Sequence, residues 1–159
     1  MIHLTDFVGY KRLTNSPIYL KLNLCMKNKF YDDCFYHVFN KSIANFGIFS
    51  KSENGLKFID TLDYYNNLKI KLSLSVYLRK NSLNTHLLIP KDNSIIKIIS
   101  YCIMPDHYHL LVKIIHANKF SKFINNIEDS FSRYFNIKNN RKGPLWQSRV
   151  KSVYIESNE

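Results

Sequence analysis

The sequence predicts an α+β domain with the ferredoxin-like, split βαβ arrangement, in which an antiparallel sheet carries two helices on one face. Two observations lead to this fold class. Alternating or continuous apolar runs typical of strands recur along the chain, and two stretches have the 3.6-residue period of amphipathic helices. The resulting order is strand, helix, strand, strand, helix, strand. A length of 159 residues is that of one domain.

The first half of the domain begins with a strand over 35–39, where aromatic and apolar residues alternate. A helix follows over 53–67, because its apolar residues recur with an approximate helical period. The segment LKIKLSLSVYL (68–78) alternates in part, and by pattern alone it predicts a strand in addition to the order given above. Polar residues and a proline over 81–93 predict a loop or hairpin connection.

The second half contains the clearest helix. Residues 95–115 predict two strand segments that meet near Pro105. One continuous apolar stripe then predicts a helix that ends at 139–140, and its members are Phe120, Phe123, Ile124, Ile127, Phe131, Tyr134 and Phe135. Residues 145–155 predict a last strand.

Composition argues against membrane and secreted classes. Hydrophobic residues make up 45% of the chain and the mean hydropathy is −0.25. No window has the 18 or more apolar residues that a membrane helix needs, and the first residues lack a secretory signal pattern. The cysteines, Cys25, Cys34 and Cys102, have no CxxC spacing, which argues against a zinc ribbon or a disulfide scaffold. A cytoplasmic location is therefore expected.

The charge balance indicates a nucleic-acid partner. Lysine and arginine total 23 against 12 acidic residues, a net charge of +11. An AT-rich genome could also raise the lysine content, but three of the five arginines lie between 133 and 149, among aromatic residues. Basic and aromatic side chains together suit single-stranded DNA. The candidate DNA-contacting residues are Arg133, Lys138, Arg141, Lys142, Trp146, Gln147, Arg149 and Lys151.

Two histidines, His107 and His109, lie one residue apart in an otherwise apolar run. In a strand both side chains point to one face, and two adjacent imidazoles form half of a divalent-metal site. Pro105 and Asp106 predict a bend or bulge that exposes the pair. The alternative from spacing alone is a chance feature of a half-buried strand. His37 is a lone histidine on an apolar strand, for which a structural role is expected.

Three ordered motifs resemble those of the IS200/IS605-like transposases, especially the subgroup associated with repetitive extragenic palindromes. SYCIMPDHYHLLV (100–112) resembles the family's histidine signature. FYHVFNKS (35–42) resembles its opening strand, and YFNIKNNRKGPLWQSRVKS (134–152) resembles its motif that ends in L-[FW]-Q-x-R-[FY]-K-S. The match spans about 29–159, with 1–28 as a poorly matched N-terminal extension. In this family, 68–78 would end the first helix and lead into a variable loop.

The resemblance implies an HUH endonuclease, which cuts and rejoins single-stranded or hairpin DNA through a tyrosine nucleophile. It also implies that His107 and His109 bind a divalent metal, Mg²⁺ or Mn²⁺. The family's tyrosine lies on a helix after the last motif, so it is expected beyond Glu159. Tyr134 and Tyr154 are weaker substitutes, because Tyr134 falls on the apolar stripe.

Three readings of the chain as a whole stay open at this point. It is a transposase or a truncated copy of one, a domesticated DNA-binding protein without catalysis, or a small domain whose histidine pair is incidental. A homodimer is also left open.

Overall fold

The computed structural model describes residues 29–80 and 93–156. Its four strands form one antiparallel sheet, and they are β1 (Phe35–Lys41), β2 (Ile96–Ile103), β3 (His107–Ile114) and β4 (Lys151–Ile155). The helices are α1 (Ser52–Tyr65), α2 (Leu74–Lys80) and α3 (Ala117–Lys138), with a 3₁₀ turn at Ile43–Asn45. The strand order β2-β3-β1-β4, with α1 between β1 and β2 and α3 between β3 and β4, is the split βαβ arrangement. The predicted fold class is therefore confirmed.

The core lies between the sheet and the helix pair α1 and α3. Side chains alternate between buried and half-buried along β1 and β3, so one face of each strand packs against the helices. Tyr108 on β3, Phe58 on α1 and Phe131 on α3 are almost fully buried where the three elements meet. The aromatic rings of Tyr108 and Phe58 lie 4.8 Å apart between centroids. This packing leaves the other face of the two central strands for a site.

The helix predicted from the apolar stripe is confirmed as α3, and it ends at Lys138, just before the two asparagines at 139–140. Asn140, just past the helix, has a positive φ of 48°, a conformation that asparagine tolerates better than most residues. Its N–H donates to the carbonyl of Ile137 at 3.3 Å, and the N–H of Arg141 donates to that of Asn136 at 2.8 Å. These two bonds satisfy carbonyls that a helix end otherwise leaves without partners.

The prediction of a strand over 68–78 is wrong, because the helix α2 begins within that segment, at Leu74. The segment packs against α1 and does not pair in the sheet. Leu74 is buried, and its N–H donates to the hydroxyl of Tyr65 at 3.1 Å. The hydroxyl of Tyr64 donates to the carbonyl of Leu72 at 3.0 Å. An apolar run of this length fits either element, and the neighbouring helix decides which one forms.

The last strand is shorter than predicted. Regular pairing in β4 begins at Lys151, and residues 145–150 form a connection with one isolated bridge, between Ser42 and Trp146. The predicted extension 1–28 and most of the predicted loop 81–93 lie outside the described residues. Within the described ranges, no helix combines the length and apolar character needed to cross a bilayer.

Candidate metal and nucleic-acid site

The two histidines lie on β3, a central strand, as predicted. In the register of the sheet, His109 is paired with Phe39 and His107 with Lys41, so these four side chains share the face away from the helices. We call this the histidine face. Pro105 and Asp106 form a bend between β2 and β3, which is the first of the two predicted alternatives, and the N–H of Met104 donates to the carbonyl of His107 at 2.8 Å. The histidine pair therefore begins directly after a hairpin turn.

Each of the two imidazoles is held through its Nδ1 atom. His107 Nδ1 lies 2.6 Å from Asp106 Oδ1, and the other oxygen of Asp106 lies 3.3 Å from Lys41 Nζ. His109 Nδ1 lies 2.8 Å from Nε2 of His37, which reaches it from β1. No described residue hydrogen-bonds Nε2 of His107 or His109. The arrangement leaves two ring nitrogens available on neighbouring side chains.

The electrostatics of this cluster favour the neutral forms of His37 and His109 and the ionised form of Asp106. Partial burial lowers the pKa of His109, and the nearby His37 and His107 rings lower it further. Burial likewise lowers the pKa of His37. The hydrogen bond from His107 and the Lys41 ammonium hold the pKa of Asp106 below its usual value. Neutral imidazole is the form that binds metal ions.

The donor set fits part of a metal site. In metal-binding histidines, the second ring nitrogen is usually hydrogen-bonded to a carboxylate, carbonyl or water, which fixes the ring. Asp106 fills this role for His107, and His37 takes the same position at His109. Among residues 29–80 and 93–156, however, no three histidine, cysteine or acidic side chains are grouped to hold an ion. The described residues thus offer two ligands, not three.

A buried carboxylate lies beneath the histidines, on the helix side of the sheet. Glu128 on α3 is 8% exposed, and its Oε1 accepts from the Tyr108 hydroxyl and from Asn40 Nδ2, each at 2.8 Å. Asn40 Nδ2 also donates to the carbonyl of Ser148 at 3.0 Å. Burial raises the pKa of Glu128, although both hydrogen bonds oppose this. This network ties β1, β3, α3 and the connection to β4 together.

Of the eight candidate DNA-contacting residues, one lies on the histidine face and two lie in the connection that leads to β4. Lys151 is exposed and paired with Phe39, which places it on that face. Gln147 and Arg149 are exposed in the connection that leads to β4, and the N–H of Gln147 donates to the carbonyl of Lys41 at 2.8 Å. Arg133 and Lys142 are exposed on α3 and just after it.

The other three candidates have structural partners. Lys138 forms an ion pair with Glu53 at 2.5 Å, which joins α3 to α1. Arg141 donates to the carbonyl of Pro144 at 2.7 Å and to Asn136 Oδ1 at 2.9 Å, beyond the end of α3. The half-buried Trp146 packs on the helix side of the sheet, within 5.6–6.3 Å of four aromatic ring centroids, and its Nε1 donates to the carbonyl of Glu128. The indole of Trp146 is thus packed against the aromatic core.

Neither substitute tyrosine approaches the histidines. Tyr154 is paired with the buried Tyr36, so it lies on the helix side of the sheet, opposite the histidines. The hydroxyl of Tyr134 lies 3.0 Å from Lys138 Nζ and 3.3 Å from Asn54 Oδ1, between α3 and α1. Tyr101, Tyr108 and Tyr36 also share the helix side by register. Thus every tyrosine on the described strands lies on the face opposite the histidines.

Comparison with known families extends the motif resemblance. The family described as "Transposase IS200 like" matches residues 69–159, more than half of the chain. The chain belongs to the IS200-like transposase family. The matched part contains β2, β3, α3 and β4, and hence both His107 and His109.

Two solved structures resemble this member of the family. One is a REP associated tyrosine transposase bound to a REP hairpin, at 12% identity and a TM-score of 0.49, covering 84% of this chain and 62% of that one. The chain thus spans less than two thirds of that protein. The other is a putative transposase from Deinococcus radiodurans R1, also at 12% identity and a TM-score of 0.49, covering 84% of this chain and 87% of that one. No curated protein sequence matches the chain.

Proposed function

We propose that this domain binds single-stranded or hairpin DNA and supports metal-assisted cleavage and rejoining of one strand by a tyrosine nucleophile. The observation that carries the proposal is the geometry of His107 and His109 on one face of a central strand. Both rings are held at Nδ1, and both Nε2 atoms lack a partner among the described residues. Membership of the IS200-like transposase family supplies the class of reaction.

His107 and His109 would hold the divalent ion, Mg²⁺ or Mn²⁺, through Nε2. Such an ion polarises a scissile phosphate and stabilises the charge that develops on it. Imidazole suits Mn²⁺ better than Mg²⁺, so Mn²⁺ is the better probe. Asp106 holds His107 in place, and the Lys41 ammonium beside Asp106 adds positive charge next to the pair. Phosphate oxygens, water or residues outside the described ranges would complete the coordination.

Lys151 and Arg149 are the side chains that we assign to the DNA backbone. Lys151 lies on the histidine face, and Arg149 precedes it in the connection that Asn40 fastens at Ser148. Both are exposed, and the net charge of +11 favours a polyanionic partner. A strand that reaches the histidines from this side would thus meet two cations first.

The nucleophile in this proposal comes from a part of the protein that the structure does not describe. Tyrosine ionises near pH 10, so it attacks only a phosphate that is activated nearby and within direct reach. Tyr134 and Tyr154 both lie on the helix side of the sheet. The tyrosine that the family resemblance places after residue 159 stays a prediction.

The metal assignment is tested by calorimetric titration with Mn²⁺. We expect the double variant His107→Ala/His109→Ala to raise the dissociation constant at least tenfold relative to the unaltered protein, because it removes both nitrogen ligands. His116→Ala is the matched control, since this half-buried histidine precedes α3 and should leave the affinity unchanged. Equal heats for the double variant and the unaltered protein would contradict the site.

The same proteins test whether the bound ion contacts the DNA. Mn²⁺ should tighten binding of a hairpin oligonucleotide with a single-stranded flank, and the double variant should lose only that increment. Hairpin binding that Mn²⁺ does not change in the unaltered protein would instead favour a DNA-binding protein without catalysis.

The DNA path is tested by the salt dependence of hairpin affinity. We expect Lys151→Ala/Arg149→Ala to reduce the steepness of log affinity against log salt by about 1.4–1.8. Binding would then neutralise two fewer phosphates and so release fewer counterions from the DNA. The control Lys119→Ala/Lys122→Ala makes the same charge change on α3, on the opposite side of the sheet. Equal slopes for the two double variants would place the DNA elsewhere.

A further inference from the structure

His37 is the hydrogen-bond partner of His109, and which of the two rings donates depends on their tautomers. It lies on β1, two residues before Phe39, and so shares the histidine face. Its Nε2 lies 2.8 Å from His109 Nδ1, and the two rings lie 18° from parallel with their centroids 5.0 Å apart. The ring of Phe39 stacks beside both, at 5.0 Å from His37 and 5.7 Å from His109. The hydrogen bond and the stacking contacts therefore hold the His37 ring against His109.

One proton is shared in the hydrogen bond between His37 Nε2 and His109 Nδ1. Which nitrogen carries that proton decides whether Nε2 of His109 can bind a cation. If His37 Nε2 carries the proton, then His109 accepts at Nδ1, and a neutral His109 has its own proton on Nε2, which blocks a cation there. If His109 Nδ1 carries the proton, then His37 accepts it and Nε2 of His109 presents a lone pair. Only the second arrangement gives His109 the same ligand atom as His107.

The neighbouring histidine indicates which arrangement a shared ion would need. The carboxylate of Asp106 can only accept at His107 Nδ1, so it fixes the proton there and leaves Nε2 of His107 as the acceptor. An ion shared by both rings needs the same protonation in each. His37 is the described partner of His109 Nδ1, as Asp106 is of His107.

We propose that His37 is a positioning residue that accepts the proton of His109 Nδ1 and so fixes the tautomer and ring orientation in which Nε2 of His109 binds the divalent ion. The proposal rests on the proposed function in one respect, that a metal ion is what Nε2 binds. His37 does not itself contact the ion, because its Nε2 is used by His109. Phe39 supports it by stacking on both rings.

The direct test is nitrogen-15 NMR of the histidine rings in the metal-free chain at neutral to mildly alkaline pH. We expect the Nδ1–H form for His109 in the unaltered protein. In His37→Phe, which keeps a ring but removes the acceptor, the spectrum should change to a mixture of tautomers or to the Nε2–H form. The Nε2–H form of His109 in the unaltered protein would overturn the proposal.

Metal affinity gives the second readout. His37→Phe should weaken Mn²⁺ binding by about 10–100-fold, the usual effect of losing a group that orients a ligand. His37→Gln, whose amide oxygen can accept the same proton, should restore most of the affinity, which a loss of folding or packing would not explain. Unchanged affinity and tautomer in His37→Phe would refute the role of His37. A tautomer that shifts as expected, together with unchanged Mn²⁺ binding in His107→Ala/His109→Ala, would refute the metal site instead.

Discussion

Replacing Glu128 with leucine is expected to lower the free energy of unfolding by about 2–4 kcal/mol, because two buried donors lose their acceptor. The hydroxyl of Tyr108 donates to Glu128 Oε1, and Asn40 Nδ2 donates to the same atom. Tyr108 lies between the two histidines on β3, so the variant should also weaken Mn²⁺ binding. Urea unfolding monitored by circular dichroism measures the first effect, and calorimetry the second.

Glu128→Gln is the matched control, since its amide oxygen can accept both hydrogen bonds without a buried charge. Burial raises the pKa of Glu128 above its ordinary value of 4.5, so the folded protein holds this proton more tightly than the unfolded chain does. Its contribution to stability is full below that ordinary value and is lost as the pH rises through the raised one. The stability of the unaltered protein should therefore fall relative to Glu128→Gln with rising pH. A difference that does not change with pH would show that Glu128 is not a buried, hydrogen-bonded carboxyl.

Trp146→Ala is expected to destabilise the protein by about 3 kcal/mol, near the lower end for large aromatic residues, because the side chain is only half-buried. The indole packs against the rings of Phe49, Phe58, Tyr108 and Phe131, and its N–H donates to the carbonyl of Glu128 at 3.2 Å. The affinity of the folded protein for hairpin DNA should stay within about twofold. Chemical unfolding and fluorescence anisotropy, both below the melting temperature, separate the two effects.

Trp146→Phe serves as the control, because it keeps an aromatic ring in the core and loses only the N–H donor. It should retain more than half of the stability that alanine loses. The contrary result is a tenfold loss of hairpin affinity in Trp146→Ala with unchanged stability. That result would return Trp146 to the DNA interface as a base-stacking residue.

The elements that the sequence predicted correctly have either a long periodic pattern or a clear break at their ends. The α3 stripe runs over four turns, and Pro105 separates the two strand segments, so each pattern has few alternatives. The segment 68–78 failed because its alternation is short and the residues that complete its packing, Tyr64 and Tyr65, lie on another element. For Trp146, the basic neighbours that suggested a DNA contact say nothing about which way the side chain faces, and the structure packs it on the helix side of the sheet. Its contact with DNA stays a prediction.

Glu128 shows a signal that the sequence did contain. It falls four residues after Ile124 and three before Phe131, so the helical period places it on the buried face of α3. An acidic residue there needs hydrogen-bond donors, but the sequence does not name them. Asn40 and Tyr108 are far from it along the chain, and only the packing of α3 on the sheet brings them within 2.8 Å.

The sequence by itself determined the fold class, the family and the shared face of His107 and His109, because all three follow from local periodicity and from motifs within short segments. Only the tertiary structure decided what holds these histidines. His37 lies 72 positions before His109 and reaches it through the pairing register of β1 and β3, which no local pattern specifies. The same register turned Tyr154 away from the histidines and brought Lys151 to their face, since a strand exposes alternate residues on opposite sides.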